Sequence, residues 1–340
     1  MSIRFHTSRR ATCVLIASLA LVAPPCAAEK ARSAGPAHRG PVVSLAVSPD
    51  GKLAATGSKD KTIKIWSLAD RRLLKTLNDH QGQVSGLAFT PDGATLISAG
   101  WDGALRLWST SDFSLKKTIE TGGVLYHVAV SPDGNVFAAG GKSKPVILYS
   151  LPDGAQIRTV PDSNDVFALA FSPDGRTLAY SPMKTPLKAL GGGYQIRLFD
   201  VAGGEVKSSM KGHQNNVMGL IFDPAGGTLY SGSLDSAVGT WDLASGKGKD
   251  LIPGQGEQFF IQDLTMGPSG MLAWARLESI GFWSKNGGAP EPIQAQRVGI
   301  QAIAFAGANH ILAACADKRV YIFPIGGKGF ETLEDPALAK

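Results

Sequence analysis

Three times in this chain a histidine, a hydroxyl residue, an aspartate and a tryptophan recur in one order and spacing: His38, Thr56, Asp60, Trp66; His80, Ser98, Asp102, Trp108; and His213, Ser231, Asp235, Trp241. A histidine with an aspartate could form an acid–base pair, the imidazole moving a proton and the carboxylate orienting it. Threefold recurrence argues against that use, because one protein seldom carries three copies of an active site. Other fragments imitate catalytic motifs and fail on context. Gly141-Lys142-Ser143 has the ending of a phosphate-binding loop, yet Val136 stands where the first glycine is needed, and the segment enters a strand, not a helix. Ser181-Pro182-Met183-Lys184 has a Ser-x-x-Lys spacing, but Pro182 and Pro186 oppose the helix that would bring serine and lysine together. Asp162-Ser163-Asn164-Asp165 could offer oxygens to calcium but lacks the glycine and distal glutamate of a calcium loop, and reads as a polar connection. His38, His80, His127, His213 and His310 show no metal spacing, and no Cys-x-x-Cys-His is present for haem. No catalytic residue, metal or cofactor is expected.

The elements that must position these residues are repeats. Ser48-Pro49-Asp50-Gly51 returns as Thr90-Pro91-Asp92-Gly93, Ser131-Pro132-Asp133-Gly134 and Ser172-Pro173-Asp174-Gly175. Degraded copies follow at Asp223-Pro224-Ala225-Gly226, Gly267-Pro268-Ser269-Gly270 and Ala306-Gly307-Ala308-Asn309, with successive steps of 42, 41, 41, 51, 44 and 39 residues. An alternating apolar stretch such as Val84 to Phe89 precedes each turn, and its two-residue period marks a half-buried strand. Proline fixes φ in the turn and glycine tolerates positive φ. A second strand (Thr95 to Ala99) follows, then a third ending in an aromatic: Trp66, Trp108, Tyr149, Phe199, Trp241, Trp283 or Phe323. A fourth, such as Leu73 to Leu77, completes the unit. Four antiparallel strands per roughly 40 residues, repeated seven times, predict an all-β, seven-bladed propeller.

Lys64-Ile65-Trp66-Ser67, Arg106-Leu107-Trp108-Ser109 and Thr240-Trp241-Asp242 resemble the Trp-Asp signature that closes WD repeats, over roughly His38 to Leu333. The resemblance implies that the four recurring side chains form a buried hydrogen-bonded chain inside blades 1, 2 and 5. Blade 3 departs with Ser143 for the aspartate, blade 4 with Tyr180 for the serine and blade 6 with Leu277 for the aspartate; blade 7 keeps Asp317 but lacks the histidine. Those blades are expected to rely on apolar packing. The outer strand of blade 7 is expected at Phe330 to Leu333; residues 30–37 are a poorer alternative, since they contain glycine and proline and do not alternate.

The first 28 residues differ from the rest, with Arg4, Arg9 and Arg10 before an apolar run from Ala11 to Ala23, then Pro24-Pro25-Cys26-Ala27-Ala28. The run is too short to span a bilayer, which takes about 20 residues, and reads as a signal peptide over 1–28. Arg9-Arg10 leaves twin-arginine export open, and Cys26 leaves lipidation open. A linker at 29–37, the propeller at 38–335 and a tail at 336–340 follow. The removed segment carries three of the 34 basic residues and none of the 28 acidic ones, so a charge of +6 becomes +3. That is no basic stripe for nucleic acid. Cys315 stands alone once Cys13 and Cys26 leave, so no internal disulfide framework is expected, and Cys315 should be buried and inert.

In the family that the repeats resemble, partners commonly dock on the face made by the loops entering the first strand and joining the second to the third. Placed on that face are Lys59, Trp101, Leu234 and Lys318 at the rim, Tyr126, Phe167, Met218 and Gln262 at the channel mouth, and Phe259 and Phe260 near the entry to blade 6. Exposed aromatics on a rigid face make interface hot spots, although Tyr126, Phe167 and Met218 could equally plug the channel. Blade 4 carries nine extra residues around Met183 to Gly193, a basic and apolar insertion with Lys184 and Lys188 on the same face. The expectation is a monomeric, non-enzymatic, exported scaffold that presents this face to a protein partner in a bacterial periplasm, with no span after signal removal. Two alternatives stand beside it: a small-molecule or enzymatic role at the channel, where Asn164, Asp165, Asn215, Asn216 and Asp263 fall, and an accessory subunit of a periplasmic redox enzyme.

Overall fold

The structure is a computed structural model that describes residues 36–182, 194–254, 260–295 and 298–338. Among these residues 28 strands form seven antiparallel sheets of four, each built from consecutive strands. The blades begin and end at Val42 and Leu77, Val84 and Glu120, Leu125 and Thr159, Val166 and Lys211, Val217 and Ile252, Asp263 and Gln294, and Ile300 and Leu333. Each innermost strand packs against the next, and that of blade 7 against that of blade 1, so the ring closes into a seven-bladed β-propeller.

Position within a blade sets each strand's pattern. The innermost strand Val84–Phe89 alternates at its start between buried and half-buried residues because one face meets the channel. The second strand, Thr95–Gly100, is buried throughout because neighbouring blades cover both its faces. The outer strand Leu115–Glu120 is almost entirely exposed and carries two lysines and a glutamate, as an edge that must avoid pairing requires. The cores lie between blades: Trp108 packs among blade 1 residues Ala55, Ile63 and Ile65, and Trp66 among blade 7 residues Leu312, Ala314 and Val320.

The Pro-Asp-Gly turns repeat atom for atom. In the first, Asp50 Oδ1 accepts from Ser48 Oγ at 2.7 Å and from Lys52 N at 3.0 Å, while Gly51 sits at φ 69°, a left-handed conformation that costs other residues more. The seventh copy departs. There the positive φ belongs to Gly307 and not to Asn309, and pairing runs up to Ala306 opposite His310. Without the proline and aspartate, a shorter hairpin forms.

The outer strand of blade 7 is Glu331–Leu333, paired to Val320–Pro324, so no strand is exchanged between the ends of the chain. A clasp ties the ring instead. Ala37 N and His38 N both donate to Lys318 O (2.9 and 3.1 Å), Asp335 N donates to Pro36 O (3.3 Å), and Lys64 Nζ donates to Ala37 O (2.8 Å) and Asp335 Oδ2 (2.5 Å). Pro36 and Ala37, read from the sequence as linker, are thus built into the joint between blades 7 and 1.

Candidate docking face and channel mouth

The recurring quartets are continuous hydrogen-bonded chains. In blade 1 Trp66 Nε1 donates to Thr56 Oγ1 (2.9 Å), which lies 2.7 Å from His38 Nε2, and His38 Nδ1 faces Asp60 Oδ2 at 3.1 Å. Blade 2 repeats this through Trp108, Ser98, His80 and Asp102 at 2.9, 2.8 and 3.0 Å, and blade 5 through Trp241, Ser231, His213 and Asp235 at 2.8, 2.7 and 2.9 Å. Burial pushes the His38 and His80 imidazoles below their ordinary pKa. In blade 1 a neutral ring with its proton on Nδ1 then satisfies every link: indole to hydroxyl, hydroxyl to Nε2, and Nδ1 to carboxylate. Burial would raise Asp60, but the hydrogen bonds it accepts from His38 and Thr62 outweigh it and hold the carboxyl well below its usual range. Each aspartate also accepts the backbone N–H that follows its histidine, from Arg39, Gln81 or Gln214. The hydroxyl lies in the blade interior, where no substrate reaches it.

Asp235→Ala should therefore cost about 1.5–3 kcal/mol in urea unfolding near neutral pH, the range for hydrogen bonds to a charged group. Burial opposes ionisation of Asp235, yet the His213 hydrogen bond prevails and its pKa falls to about 2. Its contribution is complete above the unfolded-chain value of about 4, so the gap between wild type and variant should close as pH falls from about 4 through about 2.

The incomplete blades use other contacts. Ser143 N donates to Asp165 Oδ1 (2.8 Å), Ser163 Oγ accepts from Val146 N (2.8 Å) and donates to Val160 O (2.6 Å), and Arg197 donates to Asp162 O (3.0 Å). The loop at 162–165 is thus knitted into blades 3 and 4. In blade 4 Tyr180 Oη donates to Pro161 O (3.0 Å), and in blade 7 Tyr321 Oη donates to Asp317 Oδ2 (2.6 Å), doing the work of the missing histidine. Gly141 to Ser143 is the tip of a hairpin and Ser181 lies in a strand, so neither catalytic likeness has the helix it needs. Cys315 is buried, with its thiol pushed up chiefly by burial. Among the described residues no group of three or more His, Cys, Asp and Glu could hold a metal, and no helix is long and apolar enough to cross a membrane.

On the loop face, a cavity of about 300 Å³ opens at the channel mouth, and it collects Lys59, Trp101, Tyr126, Phe167, Met218 and Gln262 from six blades. Tyr126 and Phe167 stack at 4.5 Å and 16°, and Trp101 meets Tyr126 edge-on at 6.3 Å and 66°. Trp101 is 47% exposed, the largest apolar side chain so exposed among the described residues. Lys318 is exposed and Phe260 half-buried, but neither lines the cavity. Met183, Lys184, Lys188 and Phe259 lie outside the described residues.

The same cavity holds Asp263, which the sequence places at the channel, and His127, which it does not. His127 and Asp263 line it with Gln83 and Gln301. Burial alone lowers His127 to about 4, so the ring is neutral, and its buried Nδ1 has no hydrogen-bond partner among the described residues. Asp263 is half-buried by surface area although its carboxyl is enclosed; burial, opposed by two backbone donors, raises it to about 7. Its oxygens accept from Leu264 N (2.8 Å) and from Ile303 N of the next blade (2.9 Å). Ser44 and Ser85 make comparable struts, donating to Val84 O (2.9 Å) and Leu125 O (2.6 Å) of the following blade.

Residues 32–67, 71–109 and 204–242 match the family model described as WD domain, G-beta repeat. Each stretch covers the first three strands of blade 1, 2 or 5, the three blades that carry the complete histidine–hydroxyl–aspartate–tryptophan chain, and the second and third stretches also take in the outer strand of the preceding blade. Together with the seven-bladed ring they support a WD-repeat propeller, a fold that commonly serves as a protein-interaction scaffold.

Proposed function

We propose that this protein is a non-enzymatic scaffold, exported to a bacterial periplasm, that binds a protein partner on the loop face of the propeller. The observation that carries the reading is the aromatic arc of Trp101, Tyr126 and Phe167 at the centre of that face, backed by the closed ring. A half-exposed tryptophan on a rigid support binds without the ordering cost that a mobile loop incurs, and aromatic anchors near the centre of a patch supply most of an interface's energy. The arginine-led apolar run before Pro24-Pro25 supports export, and the mature charge of +3 gives no reason to invoke nucleic acid.

Affinity capture from periplasmic extract tests the reading. Wild type should retain a defined protein, and Trp101→Ala should retain it at least tenfold less, the loss of about 1.4 kcal/mol or more expected of an interface anchor. Both forms should unfold at the same temperature, because Trp101 projects from a turn and fills no core. Capture that is indifferent to Trp101 would refute the face assignment.

A further inference from the structure

Asp263 has an unusual environment. Asp263 lines the channel-mouth cavity and its carboxyl accepts two backbone N–H groups, yet among the described residues no cation is paired with it. A carboxylate has about four acceptor positions, so two remain. Two other aspartates with little exposure are paired with a cation: Asp102 has Arg106 Nη1 at 2.9 Å and Asp335 has Lys64. The other titratable groups lining the cavity are Lys59, Tyr126 and His127. Lys59 stands exposed at the rim, and His127 is kept neutral by burial, so neither supplies the enclosed positive charge that Asp263 lacks. The same cavity wall carries the face-to-face pair Tyr126 and Phe167, with Trp101 edge-on to Tyr126. An enclosed carboxyl without a countercharge and a stack of aromatic rings in one open cavity favour the same guest: a planar, weakly hydrated organic cation on an alkyl stem.

We infer that the protein partner inserts an arginine side chain into the channel mouth, its stem passing the Trp101, Tyr126 and Phe167 rings and its guanidinium meeting Asp263. This rests on the docking reading above and adds to it the chemistry of the residue that is recognised. The cavity of about 300 Å³ accommodates one such side chain. Arginine suits the site better than lysine, because its fork matches the remaining carboxylate positions and its plane stacks on aromatic faces.

The probe is acetyl-Gly-Arg-Gly-amide, with the citrulline peptide as a neutral isostere, each titrated calorimetrically into the purified protein. The arginine peptide should bind at least tenfold more tightly than its citrulline counterpart. The carboxyl of Asp263 titrates at about 7, so at pH 6 binding should release close to one proton, read from two buffers of different ionisation enthalpy, and affinity should rise about tenfold from pH 6 to 8. His127, at about 4, does not change charge over that range. Asp263→Asn should abolish the proton release; because it also alters a strut between blades 6 and 7, Phe167→Ala, which leaves that strut intact, should weaken the arginine peptide as a second check. Equal binding of the two peptides, absence of proton release, or no binding at millimolar arginine peptide overturns the inference. Partner capture that requires Trp101 but survives Asp263→Asn undiminished removes the arginine while leaving the docking face in place; capture indifferent to Trp101 removes the docking reading itself.

Discussion

Replacing Asp335 with alanine should destabilise the propeller by about 3–5 kcal/mol, the cost of leaving one member of a buried ion pair without the other. Lys64 and Asp335 meet at 2.5 Å, with side chains only 5% and 11% exposed, at the joint where the first and last blades close the ring. With the carboxylate gone, the hydrogen bond left to the Lys64 ammonium is the one to the carbonyl of Ala37. The effect should be local as well as large: amide exchange should accelerate first in the outer strand of blade 7 and in the segment entering blade 1, because these share the clasp. Lys64→Met with Asp335→Leu should recover most of the loss, since apolar replacement of both charges removes the desolvation penalty together with the attraction. Chemical denaturation of the two single variants and the double variant measures this. If Asp335→Ala costs under about 1 kcal/mol, the value typical of an exposed pair, the ring is closed by packing alone.

Trp66→Ala should have a comparable effect, about 3–5 kcal/mol, for a different reason. Its ring is fully buried between blades 7 and 1, against Leu312, Ala314 and Val320, and its Nε1 donates to Thr56. Alanine leaves a cavity lined by two blades that cannot collapse, since each is also held by its other neighbour. Trp66→Phe keeps most of the volume and gives up the donor, and should cost about 1–2 kcal/mol. A Phe variant as damaging as the Ala variant would mean that the hydrogen-bonded chain, and not the filled volume, dominates the contribution of tryptophan. The two experiments separate polar from apolar stabilisation at one joint.

The sequence makes the blade legible because every part of it is local. Alternation, the Pro-Asp-Gly turn and the closing aromatic each lie within one 40-residue unit and recur often enough to be recognised despite decay. The quartets are legible for the same reason, since His80, Ser98, Asp102 and Trp108 span only 29 residues. The clasp is not, because Lys64 and Asp335 are 271 residues apart and nothing local marks either as a partner of the other. Lys64 and Arg106 even occupy the same place, two residues before the blade's tryptophan, yet Arg106 turns to Asp102 of its own blade while Lys64 reaches the C-terminal segment. The seventh turn shows how far a repeat can drift: Ala306 to Asn309 keeps its place in the count and forms a different hairpin.

The docking face lies between these extremes. Topology places Lys59, Trp101, Tyr126, Phe167 and Met218 on one side of the disc, because equivalent positions of successive blades must converge around the channel. It does not reveal that Tyr126 and Phe167 stack, nor that Asp263 has no cation paired with it among the described residues, since both depend on how neighbouring blades are packed. Asp263 resembles Ser44 and Ser85 in bracing the next blade, and only its chemistry distinguishes it.

The most direct test of the docking account is site-specific photocrosslinking in cells, with the photoreactive residue placed at position 101 on the loop face or at Asp133 in a turn on the opposite face. A discrete adduct with one partner at position 101, and none at 133, is the predicted result. Adducts at 133 alone, or the same adducts at both positions, would contradict the assignment of the loop face as the surface on which this propeller works.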